Sequence, residues 1–304
     1  MRQKFDLSFN SISKPVNLST PSGHEMEGLL EVHPEPRSST PTSKSAFRAA
    51  ERVKPLKVDL HIHTAEDPHH QISYTAKDLI SIAADEGYDV LAITNHHCVT
   101  FSKRLSAYAR ERGILLIPGI EVTLRRRHVV LLNPPSGRSF PDFSSLLAMQ
   151  RPDALVVAPH PYFPNHFSLN GLLVKHLKYF DAIEYCHFYS PGINFNQMAL
   201  RVSETYAIPV VGNSDAHFLS QLGTTYSLIH AEKDPESIFQ AIREKRSEVV
   251  TRPLSPLEMG AILGRFAGMK LLVEKNKRQK WFASRLRGRR LKLAFSSSSR
   301  SQGS

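Results

Sequence analysis

The sequence predicts an α/β domain in which strands close, or nearly close, into a barrel. Short apolar runs alternate with amphipathic stretches from Lys57 onward, and seven such runs fit into roughly 200 residues with no fixed-period repeat. Crossovers of that length between strands of that length suit a barrel better than a sandwich.

Taken in order, residues 1–52 are rich in Ser, Pro, Thr and charge and show neither a helical nor a strand-like apolar period. They read as a disordered segment. The predicted domain spans residues 53–253. Its strands are expected at Val58 to Ile62, Val90 to Thr94, Leu115 to Val122, Val129 to Leu132, Leu155 to Ala158, Ala182 to Cys186 and Val210 to Gly212. Helices are expected between them, near 75–87, 101–112, 142–150, 170–179, 194–206 and 234–246. Thr75 with Asp78 three residues on resembles a capping box, and Pro235 after Asp234 marks a second helix start. Residues 254–304 open with Leu257, Ile262, Phe266, Met269 and Val273 at near-helical spacing and then turn basic, so they read as a separable, partly helical tail.

Charge follows the same division. The chain of 304 residues carries a formal net charge of +11, yet residues 261–304 hold 12 Lys or Arg against the single acid Glu274. The body is therefore neutral, and a nucleic-acid or anionic-surface partner would be met by the tail. Cys98 and Cys186 form no Cys-x-x-Cys pair, which argues against a disulfide framework or a thiolate zinc site. No apolar run is long enough to span a bilayer, and the expected location is the cytoplasm.

The residues that carry chemistry sit at strand ends. In VDLHIHT, His61 and His63 are two apart and share a face of an extended strand. The second strand ends at Thr94-Asn95-His96, the third carries Glu121, the next begins with His128, the fifth leads to His160 in APHP, and the last ends in NSDAH with Asp215 and His217. A barrel gathers such strand ends at one mouth. Imidazole and carboxylate without thiolate suit Mn²⁺, Zn²⁺ or Fe²⁺, with Mg²⁺ a further candidate. Arg125, Arg126 and Arg127, between Glu121 and His128, are candidates for contacting a substrate phosphate.

The order DLHIHT, ITNHH, PGIE, APHP, GNSDAH resembles the polymerase and histidinol phosphatase (PHP) family over about residues 53–252, in particular its small stand-alone metal-dependent phosphoesterases. The resemblance implies a distorted seven-stranded barrel and a di- or trinuclear site holding two or three divalent ions. One ion would take His61, His63, Glu121 and Asp215, and a second would share Glu121 with His128 and His160. A third would take His96, His217 and Asp67, with Glu66 as the alternative carboxylate. This chain departs from the family's Thr-Asp-His motif at Asn95, which removes a negative charge beside the third ion.

The implied activity is phosphoric ester hydrolysis of a phosphorylated small molecule or nucleotide. A metal-bridging hydroxide would attack phosphorus, and His160 or His217 would protonate the leaving oxygen. The rival readings are a nuclease on RNA or DNA aided by the basic tail, a non-catalytic metal-binding domain, and a metal-dependent C–N hydrolase.

Overall fold

The structure is a computed structural model that describes residues 3–5, as backbone, and 54–268. Most of the Ser/Pro-rich segment and the basic part of the tail lie outside the described residues. Ten strands form one sheet: β1 (Gln3–Phe5), β2 (Leu56–Ile62), β3 (Val90–Ile93), β4 (Leu115–Leu124), β5 (Arg127–Leu132), β6 (Leu155–Ala158), β7 (Ala182–Cys186), β8 (Val210–Asn213), β9 (Thr225–Ile229) and β10 (Ser247–Thr251). Their spatial order is β1-β10-β9-β2-β3-β4-β5-β6-β7-β8.

All seven predicted strands are present, but the sheet is not limited to seven. β9 and β10 pair antiparallel between β2 and β1, giving a nearly closed barrel-like sheet of nine strands with β1 added at its edge. β1 also corrects the expectation of a wholly unstructured N-terminal segment, at those three residues. β5 runs antiparallel to both β4 and β6, whereas the neighbours β2-β3-β4 and β6-β7-β8 are parallel. Arg125 and Arg126, with φ of 47° and 66°, form the two-residue hairpin turn that reverses the chain between β4 and β5.

Closure is made by groups outside the ladder. On β9 the Ser227 hydroxyl accepts from the Gly212 N–H at 2.9 Å and lies 3.0 Å from the Gly212 carbonyl, to which it donates. A Cβ on Gly212 would meet Val249 Cγ1 at 2.8 Å and the Tyr226 carbonyl at 2.9 Å, so only glycine fits the approach. Beyond β8, the His63 N–H donates to the Ala216 carbonyl at 3.1 Å.

Helices cover the sheet where their apolar faces dictate. α1 (Ala76–Asp85) starts with the capping box of Thr75 and Asp78, and α2 (Lys103–Glu111) is capped by Ser102. Leu79, Ile80, Ala83 and Ala109 of these helices pack on Leu91 and Ile93. The expected helix at 142–150 is a 3-10 helix, Phe143–Met149, and the one at 170–179 splits into α3 (Gly171–Lys175) and a 3-10 turn. These elements and α4 (Asn196–Tyr206) cover the opposite flank.

α5 (Pro235–Arg243) closes the end of the barrel away from the site. Its Ile238, Phe239, Ala241 and Ile242 share one cluster with the inward residues of the strands, and Arg243 binds Asp181 and the carbonyls of Arg151, Pro152 and Ala154. A further helix, α6, covers residues 256–268. Leu254 and Ile262 are buried, so the packed body continues past the boundary expected at residue 253. No helix among the described residues is long and apolar enough to cross a membrane.

Candidate metal centre

Along each strand the inward positions pass from apolar to polar, and that progression makes the site. Ile117 of β4 belongs to the barrel interior and Glu121 follows four residues on. In β5 Val130 and Leu132 are interior and His128 precedes them, because the strand runs the other way. Leu155 and Val157 lead to His160, Ala182 to Glu184, and Val211 to Asn213.

β2 needs an irregularity to do the same. Val58 and Leu60 lie in the interior cluster but Ile62 packs in the outer one, so simple alternation is broken. The register against β3 shifts between Asp59 and Ile62, and this bulge turns His61 and His63 inward.

The two imidazoles are held from behind. His61 Nδ1 is 2.7 Å from Glu184 Oε2, and His63 Nδ1 is 2.9 Å from Asp67 Oδ2. Both Nε2 atoms are then left to face each other, 3.2 Å apart. Glu121 Oε2 lies 3.6 and 3.4 Å from them, and Asp215 Oδ1 lies 3.4 and 3.3 Å from them. A tetrahedral ion with bonds of about 2.1 Å has ligand–ligand edges of about 3.4 Å, so each of these spacings is one that two ligands of a single divalent ion would show. Two facing lone pairs and two carboxylates in a dry pocket are costly without a cation.

Further donors surround this tetrad. His96 Nδ1 is 2.8 Å from Asp67 Oδ2, and its Nε2 is 3.0 Å from Glu121 Oε2. Glu121 Oε1 has no aligned hydrogen bond, although His128 Nδ1 is 2.8 Å away and His160 Nε2 3.5 Å away. The groups compact enough to hold an ion are His61-His63-Glu121, His63-Asp67-His96, His63-Asp215-His217 and His96-Glu121-His128. His217 therefore stands with His63 and Asp215, whereas the family pattern places it with His96 and Asp67. Asp67 joins the cluster; Glu66 instead accepts the Ala76 N–H at the start of α1.

Electrostatics agree with a cation-seeking site. Burial opposes the charge on His61, yet Glu184, Asp215 and Glu121 together hold its pKa well above the ordinary imidazole range. His96 is pushed up to about 10, against burial, by Glu121 and Asp67. Burial also opposes charge on Glu121 and Asp215, but the surrounding histidines keep both carboxyls well below their usual range. Burial and the neighbouring His63 pull His217 far down; its Nε2 faces His70 Nδ1 at 2.9 Å. His160 and Asp215 hold φ of 30° and 45°, left-handed values that store strain of about 1–3 kcal/mol each at these positions.

Several participants escaped the sequence reading. Glu184 is completely buried, and its signal was an acid amid the apolar run AIEYC, where a charge must have a partner. Asp59, also completely buried, accepts the N–H groups of His61 and Ser214. The Asn95 amide donates to the Thr64 and Thr100 hydroxyls at 2.9 and 2.7 Å, tying the loop after β2 to the end of β3. The three arginines are not among the cluster's contacts: Arg125 and Arg126 are exposed in the hairpin turn, and Arg127 donates to the His166 carbonyl.

The PHP-associated family model matches residues 194–247, the segment that delivers Asp215 and His217. Over that segment the chain is similar to the PHP-associated family. The chain is 25% identical over 209 residues to the uncharacterized protein MJ0417 of Methanocaldococcus jannaschii, covering 64% of this chain and 82% of that one. It is 23% identical over 127 residues to MJ1587 of the same organism, 36% of this chain and 70% of that one. Among solved structures it is similar to PsfC from Pseudomonas syringae, with a TM-score of 0.49 and 18% identity, over 72% of this chain and 100% of that one. The clustered imidazoles and carboxylates are donors of the type that hold divalent ions.

Proposed function

We propose that this protein hydrolyses phosphate esters at a site of two or three divalent ions, Mn²⁺, Zn²⁺ or Fe²⁺ before Mg²⁺. The observation that carries the reading is Glu121. Its Oε2 faces His61, His63 and His96 while its Oε1 faces His128 and His160, the arrangement a carboxylate needs to bridge two ions. Ions held there would activate water and stabilise charge on the phosphoryl oxygens.

The protein's own groups do the rest. Glu184 and Asp67 fix the tautomers and orientations of His61 and His63. His160 beside His61, and His217 beside His63, flank the pair, and one or the other of these rings would supply the proton for the leaving oxygen. The substrate is a phosphorylated small molecule or nucleotide.

The test is a phosphate-release screen over nucleotides, sugar phosphates and short oligonucleotides, with metal content measured on the same sample. Ester hydrolysis with two or three ions per chain is expected. Oligonucleotide cleavage without action on small esters would shift the reading to a nuclease. Turnover of amides alone would replace it with C–N hydrolysis, and bound metal with no turnover would leave a metal-binding domain.

A further inference from the structure

The barrel strands do not line the mouth of the site alone. After β10 the chain is pinned where Leu254 donates its N–H to the Tyr189 carbonyl at 2.8 Å and Arg252 makes two contacts, of 3.1 and 2.7 Å, with Glu258. Ser255 and Glu258 cap the start of α6, and Ile262 is buried beneath it. The helix so placed brings Phe266 ring to ring with His217 at 5.3 Å and 64°, and with Phe218 at 5.2 Å and 66°. The exposed guanidinium of Arg265 stands 5.3 Å over the Phe218 ring.

We propose that α6 is a substrate-recognising wall of the metal centre, with Phe266 stacking on a flat aromatic part of the phosphate ester and Arg265 attracting its negative charge. The proposal rests on the phosphoesterase reading and adds the substrate class. The other rings beside His217 are the imidazoles of His63, His70 and His96, so Phe266 is the carbon ring that the alcohol part of an ester reacting there would meet. Phe266 is only half-buried, so ring surface is left for a ligand. An aromatic face beside a cation suits an aryl or nucleoside phosphate better than an aliphatic one. The wall comes from the segment that the sequence assigns to a separable tail.

The test compares nitrophenyl phosphate, a nucleoside monophosphate and glycerol phosphate as substrates of the full-length, metal-loaded protein. Phe266→Ala is expected to raise KM for the two aromatic esters by about tenfold and to change KM for glycerol phosphate less than about twofold, with metal content unchanged. Phe266→Tyr, which keeps the ring, should restore KM. Leu263→Ala, an exposed position on the same helix, should leave all three substrates unaffected. Arg265→Ala should raise KM for every ester severalfold, more so at low salt. An equal effect of Phe266→Ala on all three esters, no effect on any, or loss of bound metal would overturn the wall. A wild-type protein that releases phosphate from no ester would instead overturn the phosphoesterase reading itself.

Discussion

Glu184 Oε2 lies 2.7 Å from His61 Nδ1, and both side chains are completely buried. The carboxylate is itself held by the Asn213 amide at 3.1 Å and the His160 N–H at 3.2 Å. With Nδ1 donating backward, the lone pair of His61 Nε2 points at Glu121 and Asp215, so one residue in the barrel floor decides which nitrogen can bind an ion.

Replacing that charge should weaken the site without unfolding it. Glu184→Gln keeps the size of the side chain but lowers the basicity of His61, and metal affinity is expected to fall about 10–100-fold. Competition with a graded series of chelators measures this; unchanged affinity would show that Glu184 does not orient His61.

Asp215 faces both Nε2 atoms, at 3.4 and 3.3 Å. Asp215→Asn should abolish hydrolysis and leave the circular-dichroism spectrum intact, because an amide supplies no negative charge to a doubly charged ion. Retention of more than about a tenth of wild-type turnover, a loss below about 1.4 kcal/mol, would exclude Asp215 as a ligand.

Asp59 gives a stability signature with a definite sign. Burial, only partly offset by hydrogen bonds from Ser214 and His61, pushes its carboxyl up to about 7 from 3.8. Its contribution is complete below the unfolded value and is lost as pH rises through the folded one. In metal-free protein, Asp59→Asn should therefore gain thermal stability relative to wild type as pH rises from 4 to 8, by at most about 4 kcal/mol. A difference in Tm that stays flat over that range would show that Asp59 is not held protonated.

Two truncations separate the charge of the tail from its packing. Removal of residues 269–304 should leave hydrolysis of a small ester near the wild-type rate, since among the described residues the contacts with the body run from Leu254 to Phe266. If that basic segment binds polyanions, the same cut should weaken binding to nucleic acid and flatten its salt dependence. Removal of 254–304 also deletes the buried Leu254 and Ile262 and the Phe266–His217 contact, so Tm and kcat/KM should both fall. Equal activity of the two shortened chains would show that α6 is dispensable.

Local patterns made much of this protein legible in its sequence. The seven apolar runs mark β2 to β8, the Thr75 and Asp234 caps start helices where expected, and His61, His63, His96, Glu121, His128, His160, Asp215 and His217 come together at one end of the barrel. Such signals are carried by residues close together in the chain, so periodicity and capping report them. β9 was hidden because Thr225 and Ser227 are buried polar residues that bond to Thr251 and Gly212, which breaks the apolar pattern of that strand.

Which donors share a pocket was decided by tertiary structure alone. The bulge in β2 selects the face of His61 and His63, the Arg125-Arg126 turn reverses β5 so that His128 meets Glu121, and Glu184 reaches His61 across 123 positions of chain. Likewise the burial of Leu254 and Ile262 and the Leu254–Tyr189 hydrogen bond bring Phe266 against His217. A strand pattern repeats every two residues, so the sequence can say that a side chain faces inward; register and barrel closure, set by pairings between distant segments, determine which other side chain it meets there.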